Sequence, residues 1–284
     1  MYLLIDVGYL MFYRYYATKL WYRRAHSDDP TDLEDVEDHK DQPDLKMVQT
    51  SAFKDMYIRR IESSIQELVS RYGTDWKNVF FCCDCPRAKI WRMQLHPVYK
   101  ACRDGKVPSG IPIAAGYLQE TLDRLRSEYG CAVLRVPTAE ADDIVYVTRK
   151  SLLEANASAS FTIVASDADY HQICEANTQL VRFDGRDAMK GSSRNREDVT
   201  DAEAPMLDLQ VKIIAGDTSD NIPAITARCG PKTALRLARS SSVLSHLFQT
   251  DPSAQERYAR NTKLIDMRKI PVELQETIHQ LVFA

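Results

Sequence analysis

The sequence predicts an α/β protein built on a mostly parallel, Rossmann-like central sheet with flanking helices, and three observations carry that prediction. Short apolar runs rich in β-branched and aromatic residues are separated by longer stretches of helical periodicity. Three of those runs lead into aspartates: Leu3-Leu4-Ile5 into Asp6, Val79 to Cys83 into Asp84, and Phe161 to Ala165 into Asp167 and Asp169. A compact acidic run, Ala139-Glu140-Ala141-Asp142-Asp143, follows a further strand-like segment. Ligands of open α/β sheets gather beyond the carboxyl ends of the strands, so these carboxylates are expected to converge. Clustered like charges repel unless something neutralises them, and hard divalent cations such as Mg²⁺ take oxygen ligands. The pattern points to a multi-carboxylate site for metal-assisted chemistry on phosphate.

Taken in order, a first strand over residues 2 to 6 runs into an aromatic helix around Tyr9 to Arg24. Residues 27 to 46 carry two prolines and little apolar content, which predicts a solvated loop or insertion. Within it, residues 28 to 44 hold nine acidic side chains against Lys40 alone, so that segment is −8 and the rest of this −3 chain is +5. Phe53, Met56, Tyr57, Ile61, Ile65, Leu68 and Val69 fall at helical spacing, and the strand into Asp84 then completes a first βαβ unit.

Residues 86 to 106 change character. Arg87, Lys89, Arg92, Lys100, Arg103 and Lys106 stand with a single acid, Asp104, and are interleaved with Trp91, His96 and Tyr99. Such a stretch directly after a candidate metal-site aspartate suits a phosphate backbone; the plainer alternative is a solvated charged face. A helix near 112 to 129 and a strand from Cys131 to Val136 follow. Thr138 suits an N-cap, which would set Glu140, Asp142 and Asp143 in the first helical turn, where the dipole favours carboxylates. Glu140 and Asp143 would then share a face while Asp142 points elsewhere, so one turn could feed two metal positions. The alternative is a set of surface acids that only complement the dipole. In Ser166-Asp167-Ala168-Asp169 the alternate carboxylates can face one cavity. Gln179 to Phe183 reads as the last strand, 184 to 202 as a polar loop, and the C-terminal third as helical.

At 284 residues the chain suits one large domain, or one with a smaller appendage. Its seven cysteines, four of them at 82, 83, 85 and 102, read as reduced thiols of an intracellular protein rather than a disulfide framework. Cys82-Cys83-Asp84-Cys85 lacks the paired spacing of a structural zinc site, and strand alternation would bury Cys83 and Cys85 on one face. No basic leader and no apolar stretch of membrane length is visible, so a soluble protein with no membrane partner is expected, in nucleus or cytoplasm according to the host.

The most specific string is Gly216-Asp217-Thr218-Ser219-Asp220-Asn221-Ile222-Pro223, followed by Gly230-Pro231-Lys232-Thr233-Ala234. A turn joining two helices, with backbone N–H groups at the second helix start and Lys232 beside them, is a ready phosphate clamp. With Asp6, Asp84, the acidic run at 139 to 143 and Ser-Asp-x-Asp at 166 to 169 in this order, the chain resembles the 5′→3′ exonuclease and flap endonuclease family from residue 2 to about residue 240.

The resemblance implies a PIN-like catalytic domain over residues 1 to 202, with a helical arch over 86 to 118, and a helical DNA-binding region over 203 to 284 with a helix-hairpin-helix-like motif. It implies two Mg²⁺ ions, with Mn²⁺ able to substitute. Asp6, Asp84, Glu140 and Asp142 match the first cluster; Asp143, Asp167, Asp169 and Asp217 match the second, with Asp220 behind them. The segment from Trp91 to Arg103 is similar to the basic helix at the base of the arch, which puts Lys100 and Arg103 at the scissile phosphate and makes them, with Asp142, the catalytic residues. Arg14, Arg87, Lys89, Arg92, Arg228, Lys232 and Thr233 join them as nucleic-acid contacts. The hairpin, where the family often holds a monovalent ion such as K⁺, departs from the pattern. Ala224-Ile225-Thr226-Ala227-Arg228-Cys229 lacks the expected glycines and carries one extra residue.

The activity so implied is hydrolysis of phosphodiester bonds near 5′ ends of DNA, at flaps, nicks or free ends, in replication, repair or recombination. A monomer working alone or with replication proteins is expected. Removal of RNA primers from RNA–DNA hybrids, a non-catalytic DNA-binding module and a Mg²⁺-dependent phosphatase or phosphotransferase are the alternatives. Eight candidate ligands argue against the module, and the basic segment with Lys232 argues against a small phosphate substrate. His96 and His171 are expected to be bystanders, because metal-bound water can supply hydroxide without a side-chain base.

Overall fold

The computed structural model describes residues 1–26, 43–103 and 105–284. Most of the expected acidic insertion, residues 27 to 42, and Asp104 lie outside the described residues. Five strands, β1 (Tyr2–Asp6), β2 (Val79–Cys83), β3 (Ala132–Arg135), β4 (Phe161–Val164) and β5 (Thr178–Val181), form one parallel sheet in the order β3-β2-β1-β4-β5. The chain steps one way from β1 through β2 to β3 and then crosses to the other side for β4 and β5, so the winding reverses beside β1. The crevice at such a reversal is where open sheets hold ligands. Asp6 is level with Cys82 and Ile5 with Val164, so Asp84 and Asp167 leave the sheet close to the height of Asp6.

Among the described residues the helices are α1 (Val7–His26), α2 (Pro43–Val48), α3 (Ser51–Tyr72), α4 (Arg92–Leu95), α5 (Ile111–Tyr129), α6 (Ala141–Ala155), α7 (Ala204–Ala215), α8 (Pro231–Ala238), α9 (Ser241–Thr250), α10 (Pro252–Ile265) and α11 (Val272–Val282). Strand alternation divides the core. Leu3, Ile5, Phe81, Cys83 and Val164 pack with α1, α3 and α5, while Leu4, Phe80, Cys82 and Ile163 pack with α6 and α11. α3 shows how the local sequence specifies its element: Thr50 Oγ1 accepts from the Phe53 N–H at 3.2 Å, Gly73 closes the other end in the left-handed region, and Phe53, Tyr57, Ile61, Ile65 and Leu68 form the buried stripe. Cys85, Ile90 and Tyr99 join α7 and the end of α10 in a third cluster, and α8 packs on α7 in a fourth. From Met267 onward the chain returns to the sheet, where Ile270, Leu274 and Ile278 enter its core.

Three expectations are corrected. Residues 43 to 46 are helical rather than a loop, and Asp44 accepts from Lys19 Nζ at 2.7 Å and Arg23 Nη2 at 3.2 Å, which pins the end of the acidic segment to α1. The basic helix expected across 92 to 103 stops at Leu95, because Pro97 disfavours a helical conformation at His96, whose φ is −148°. The rest of that stretch is turn and a short 3₁₀ segment, Ala101–Arg103. Cys83 and Cys85 do not share a face: all three cysteines of the cluster are buried, each in a different apolar group. Among the described residues no helix is long and apolar enough to cross a membrane.

Candidate active site

A cleft of about 500 Å³ opens beyond the carboxyl ends of β1, β2 and β4, lined by Asp6, Asp84, Glu140, Asp142 and Asp167, with Lys100, Arg103, Tyr9 and Phe12 around them. Each strand-end carboxylate is held by a local donor. The Tyr9 N–H and the Tyr170 hydroxyl donate to the two oxygens of Asp6, each at 2.9 Å; the Ala141 N–H donates to Asp84 Oδ1 at 2.8 Å, and the Asp169 N–H to Asp167 Oδ1 at 2.9 Å. Gly8 leaves the space between them, since a Cβ there would lie 2.9 Å from Asp84 Oδ2 and 3.2 Å from Asp6 Oδ1.

Without a cation this arrangement is electrostatically unfavourable. Burial, with Asp84 adding to it, pushes Asp6 up to about 7, and burial with Asp169 pushes Asp167 up to about 6. Asp84 is raised too, by desolvation first, even though its tip is open to the cleft. Hard oxygen donors converging on a glycine-floored cleft are the donor set of a divalent ion such as Mg²⁺ or Mn²⁺, and the residues present fit such an ion.

The start of α6 divides its acids by role. Glu140, not Thr138, is the N-cap; Thr138 adopts φ 71°, and its carbonyl accepts from the Trp91 N–H at 3.1 Å. Glu140 and Asp143 form a reciprocal capping box. Asp143 is fully buried and grouped with Glu140 and Asp142, not with Asp167, Asp169 and Asp217 as expected. Arg92, expected to contact nucleic acid, is also buried, and it donates to Glu140 and to both oxygens of Asp143. Sequence spacing could not reveal that this arginine of the basic segment turns inward.

Asp169, Asp217 and Asp220 form a second cluster. It carries its own cation, Lys212, whose ammonium bonds Asp169 and lies 2.8 Å from Asp217 Oδ2. Burial would raise Asp217, but Lys212 and Ser219 hold it down at about 2. Lys212 escaped the sequence reading; the signal was a lone lysine in the apolar run Val211 to Ala215, five residues before Asp217.

Lys100 and Arg103 line the cleft. Lys100 has φ 57°, its N–H donates to the Asp220 carbonyl at 3.0 Å, and its ammonium bonds Glu140. Burial works against that charge, but Glu140 and Asp220 hold it above its ordinary range. The Arg103 guanidinium donates to Asp220 Oδ1. Strained backbone at non-glycine residues is a recurring mark of functional sites.

The remaining candidates stand apart from the cleft. Arg14 is half-buried over the rings of Tyr13 and Phe183, Arg87 is half-buried, and Lys89 is exposed. His96 Nε2 lies 2.9 Å from the Asn221 carbonyl, and His171 is buried near Asp208, so neither lines the cleft. Across the hairpin Lys232 is exposed and Thr233 half-buried at the start of α8; Arg228, also exposed, takes φ 55° where a glycine would be unstrained.

Fold and site together define a parallel α/β protein with a carboxylate cleft suited to divalent cations at its switch point. The chain belongs to the 5′-3′ exonuclease family: residues 1–204 match the model of its N-terminal resolvase-like domain. It is 29% identical over 181 residues to a 5′-3′ exonuclease of Halalkalibacterium halodurans, covering 63% of this chain and 57% of that one. It is 30% identical over 180 residues to the flap endonuclease Xni of Shewanella oneidensis, covering 60% of each. The matched stretch is thus under two thirds of those relatives' length. In structure it is similar to the T5 5′-exonuclease solved with zinc (TM-score 0.65, 17% identity, 99% of this chain and 98% of that one). It is similar also to the bacteriophage T5 D15 flap endonuclease in a pseudo-enzyme-product complex with DNA and metal ions (TM-score 0.64, 17% identity, 99% and 97%).

Proposed function

We propose that this protein is a structure-specific 5′ nuclease that hydrolyses phosphodiester bonds near DNA 5′ ends with divalent cations held in the cleft. The observation that carries the reading is the meeting of Asp6, Asp84, Glu140, Asp142 and Asp167 with Lys100 and Arg103 around one open cleft. The relatives' names and the T5 complex support the same class of chemistry. When bound, two Mg²⁺ ions would supply hydroxide for attack and stabilise the leaving 3′ oxygen. The protein's own groups do the rest. Asp84 and Asp142 hold the cations, with Asp6 and Asp167 beside them, and Glu140 anchors Lys100 at the rim. Lys100 and Arg103 offset the charge that builds on the scissile phosphate. Lys232, Thr233 and Arg228 grip duplex phosphates away from the cut, with K⁺ a candidate ion at that hairpin. Replication or repair of DNA is the setting this chemistry serves.

The test is a matched panel of 5′-labelled flap, nicked, blunt and RNA-primed duplexes incubated with Mg²⁺ or EDTA. Metal-dependent release of short 5′ products supports the reading, and the preferred member names the substrate. Binding without cleavage across the panel would refute it.

A further inference from the structure

The buried ion pair beneath the cleft has a role that neither metal binding nor DNA contact covers. Asp143 accepts four hydrogen bonds: from Arg92 Nη2 at 2.8 Å on Oδ1, and on Oδ2 from Arg92 Nη1 at 3.0 Å, the Trp91 indole N–H at 2.9 Å and the Glu140 N–H at 3.0 Å. Three of the four fall on Oδ2, and the side chain is fully buried and does not line the cleft, so Asp143 is committed to the protein rather than presented to an ion. Arg92 is equally committed. Nη1 donates to Glu140 Oε2 at 2.8 Å, Nη2 lies 3.9 Å from Asp142 Oδ2, and Nε–H donates to the Leu264 carbonyl at 2.8 Å. Leu264 is in the last turn of α10, where carbonyls lack helical partners, so the same guanidinium caps that helix. The two side chains are 3% and 0% exposed, which removes both from any contact with DNA.

We propose that Arg92 and Asp143 are a positioning pair: they fix the Glu140 carboxylate and the first turn of α6 so that Asp142 is presented to the cleft, and they tie that turn to the end of α10. The inference rests on the cleft being a divalent-cation site. Only an arginine fork spans Glu140, Asp143 and the Leu264 carbonyl together, which a lysine ammonium at one point cannot do.

The test compares wild type with Arg92→Lys, Arg92→Met and the double variant Arg92→Met/Asp143→Leu in three measurements: Tm, Mn²⁺ affinity by calorimetry, and affinity for a nicked duplex against salt. Arg92→Met leaves a buried carboxylate unpaired and should lower Tm by roughly 5–15 °C, while the double variant, with both charges gone, should regain most of that loss. Mn²⁺ binding should stay about 10-fold to 100-fold weaker in both, and Arg92→Lys should not rescue it, as expected when a ligand's supporting partner is removed. DNA affinity and its salt slope should not change. Recovery of Mn²⁺ affinity together with stability in the double variant would reduce the pair to a folding element, and a slope lower by one charge would make Arg92 a phosphate contact; either overturns the proposal. A wild type that binds no Mn²⁺ overturns the cation reading itself and this inference with it, whereas normal binding in wild type and double variant alike defeats the inference alone.

Discussion

Two carboxylate clusters stand side by side in this protein, built from the same residue types but with opposite electrostatics. Asp6, Asp84, Asp142 and Asp167 converge at the strand ends, and the nearest guanidinium to Asp142 stays 3.9 Å away. Burial lifts Asp6 to about 7 and Asp167 to about 6, with Asp84 adding to the first and Asp169 to the second. Asp169, Asp217 and Asp220 are instead supplied with Lys212 and Arg103, and Asp217 sits at about 2. A list of acids in sequence order treats the clusters as equivalent. The lesson is that the uncompensated cluster is poised to attract a cation, whereas the compensated one must first give up a lysine.

The largest expected effect tests the first cluster. Asp142→Ala should cut single-turnover cleavage by about 10³-fold or more, because several kcal/mol of charge stabilisation goes with it, while DNA affinity changes little. Near-normal turnover would erase the distinction between the clusters. Lys100→Ala comes next, at about 10²-fold to 10³-fold in rate with a smaller change in affinity; a change in affinity alone would recast Lys100 as a general phosphate contact.

Lys212→Met should make the second cluster behave like the first. With the ammonium gone, Mn²⁺ binding there should tighten about tenfold, a modest share of the Coulomb energy of one charge removed at close range. An unchanged second binding step would show that Lys212 does not compete.

Acidity separates the clusters by sign. Asp6 and Asp167 have raised folded pKa values, so their contribution to stability is full below about pH 4 and is lost as pH climbs through about 6 to 7; Asp217, depressed to about 2, contributes above about pH 4 and is lost on acidification toward 2. Mg²⁺ should therefore raise Tm by about 2–5 °C more at about pH 8 than at about pH 5.5. Equal gains at both would mean the strand-end carboxylates are not the ones neutralised. The smallest effect lies at the hairpin, where Lys232→Ala and Arg228→Ala should each lower the salt slope for a nicked duplex by about one charge.

The first cluster was far more legible in the sequence than the second. Asp6, Asp84 and Asp167 follow short apolar runs whose length and β-branched or aromatic content mark them as buried strands, and the parallel sheet then brings them together by topology. Helix α3 is likewise legible from its apolar spacing, α1 from its aromatic content and the start of α6 from its acidic first turn. What escaped depends on contacts between distant segments. The inward turn of Arg92 needs the Leu264 carbonyl and Asp143, and the Lys212 ion pair needs α7 packed against the turn after β4. The break at His96 is legible in Pro97, which disfavours a helical residue before it and which a resemblance to the basic helix does not take into account.

The most direct test of the central claim is calorimetric titration of Mn²⁺ into wild type, the double variant Asp84→Asn/Asp142→Asn, and Asp217→Asn, with folding checked by circular dichroism. If the uncompensated cluster is the cation site, tight binding disappears in the first variant and persists in the second. Tight binding that survives in Asp84→Asn/Asp142→Asn and is lost in Asp217→Asn would contradict the account.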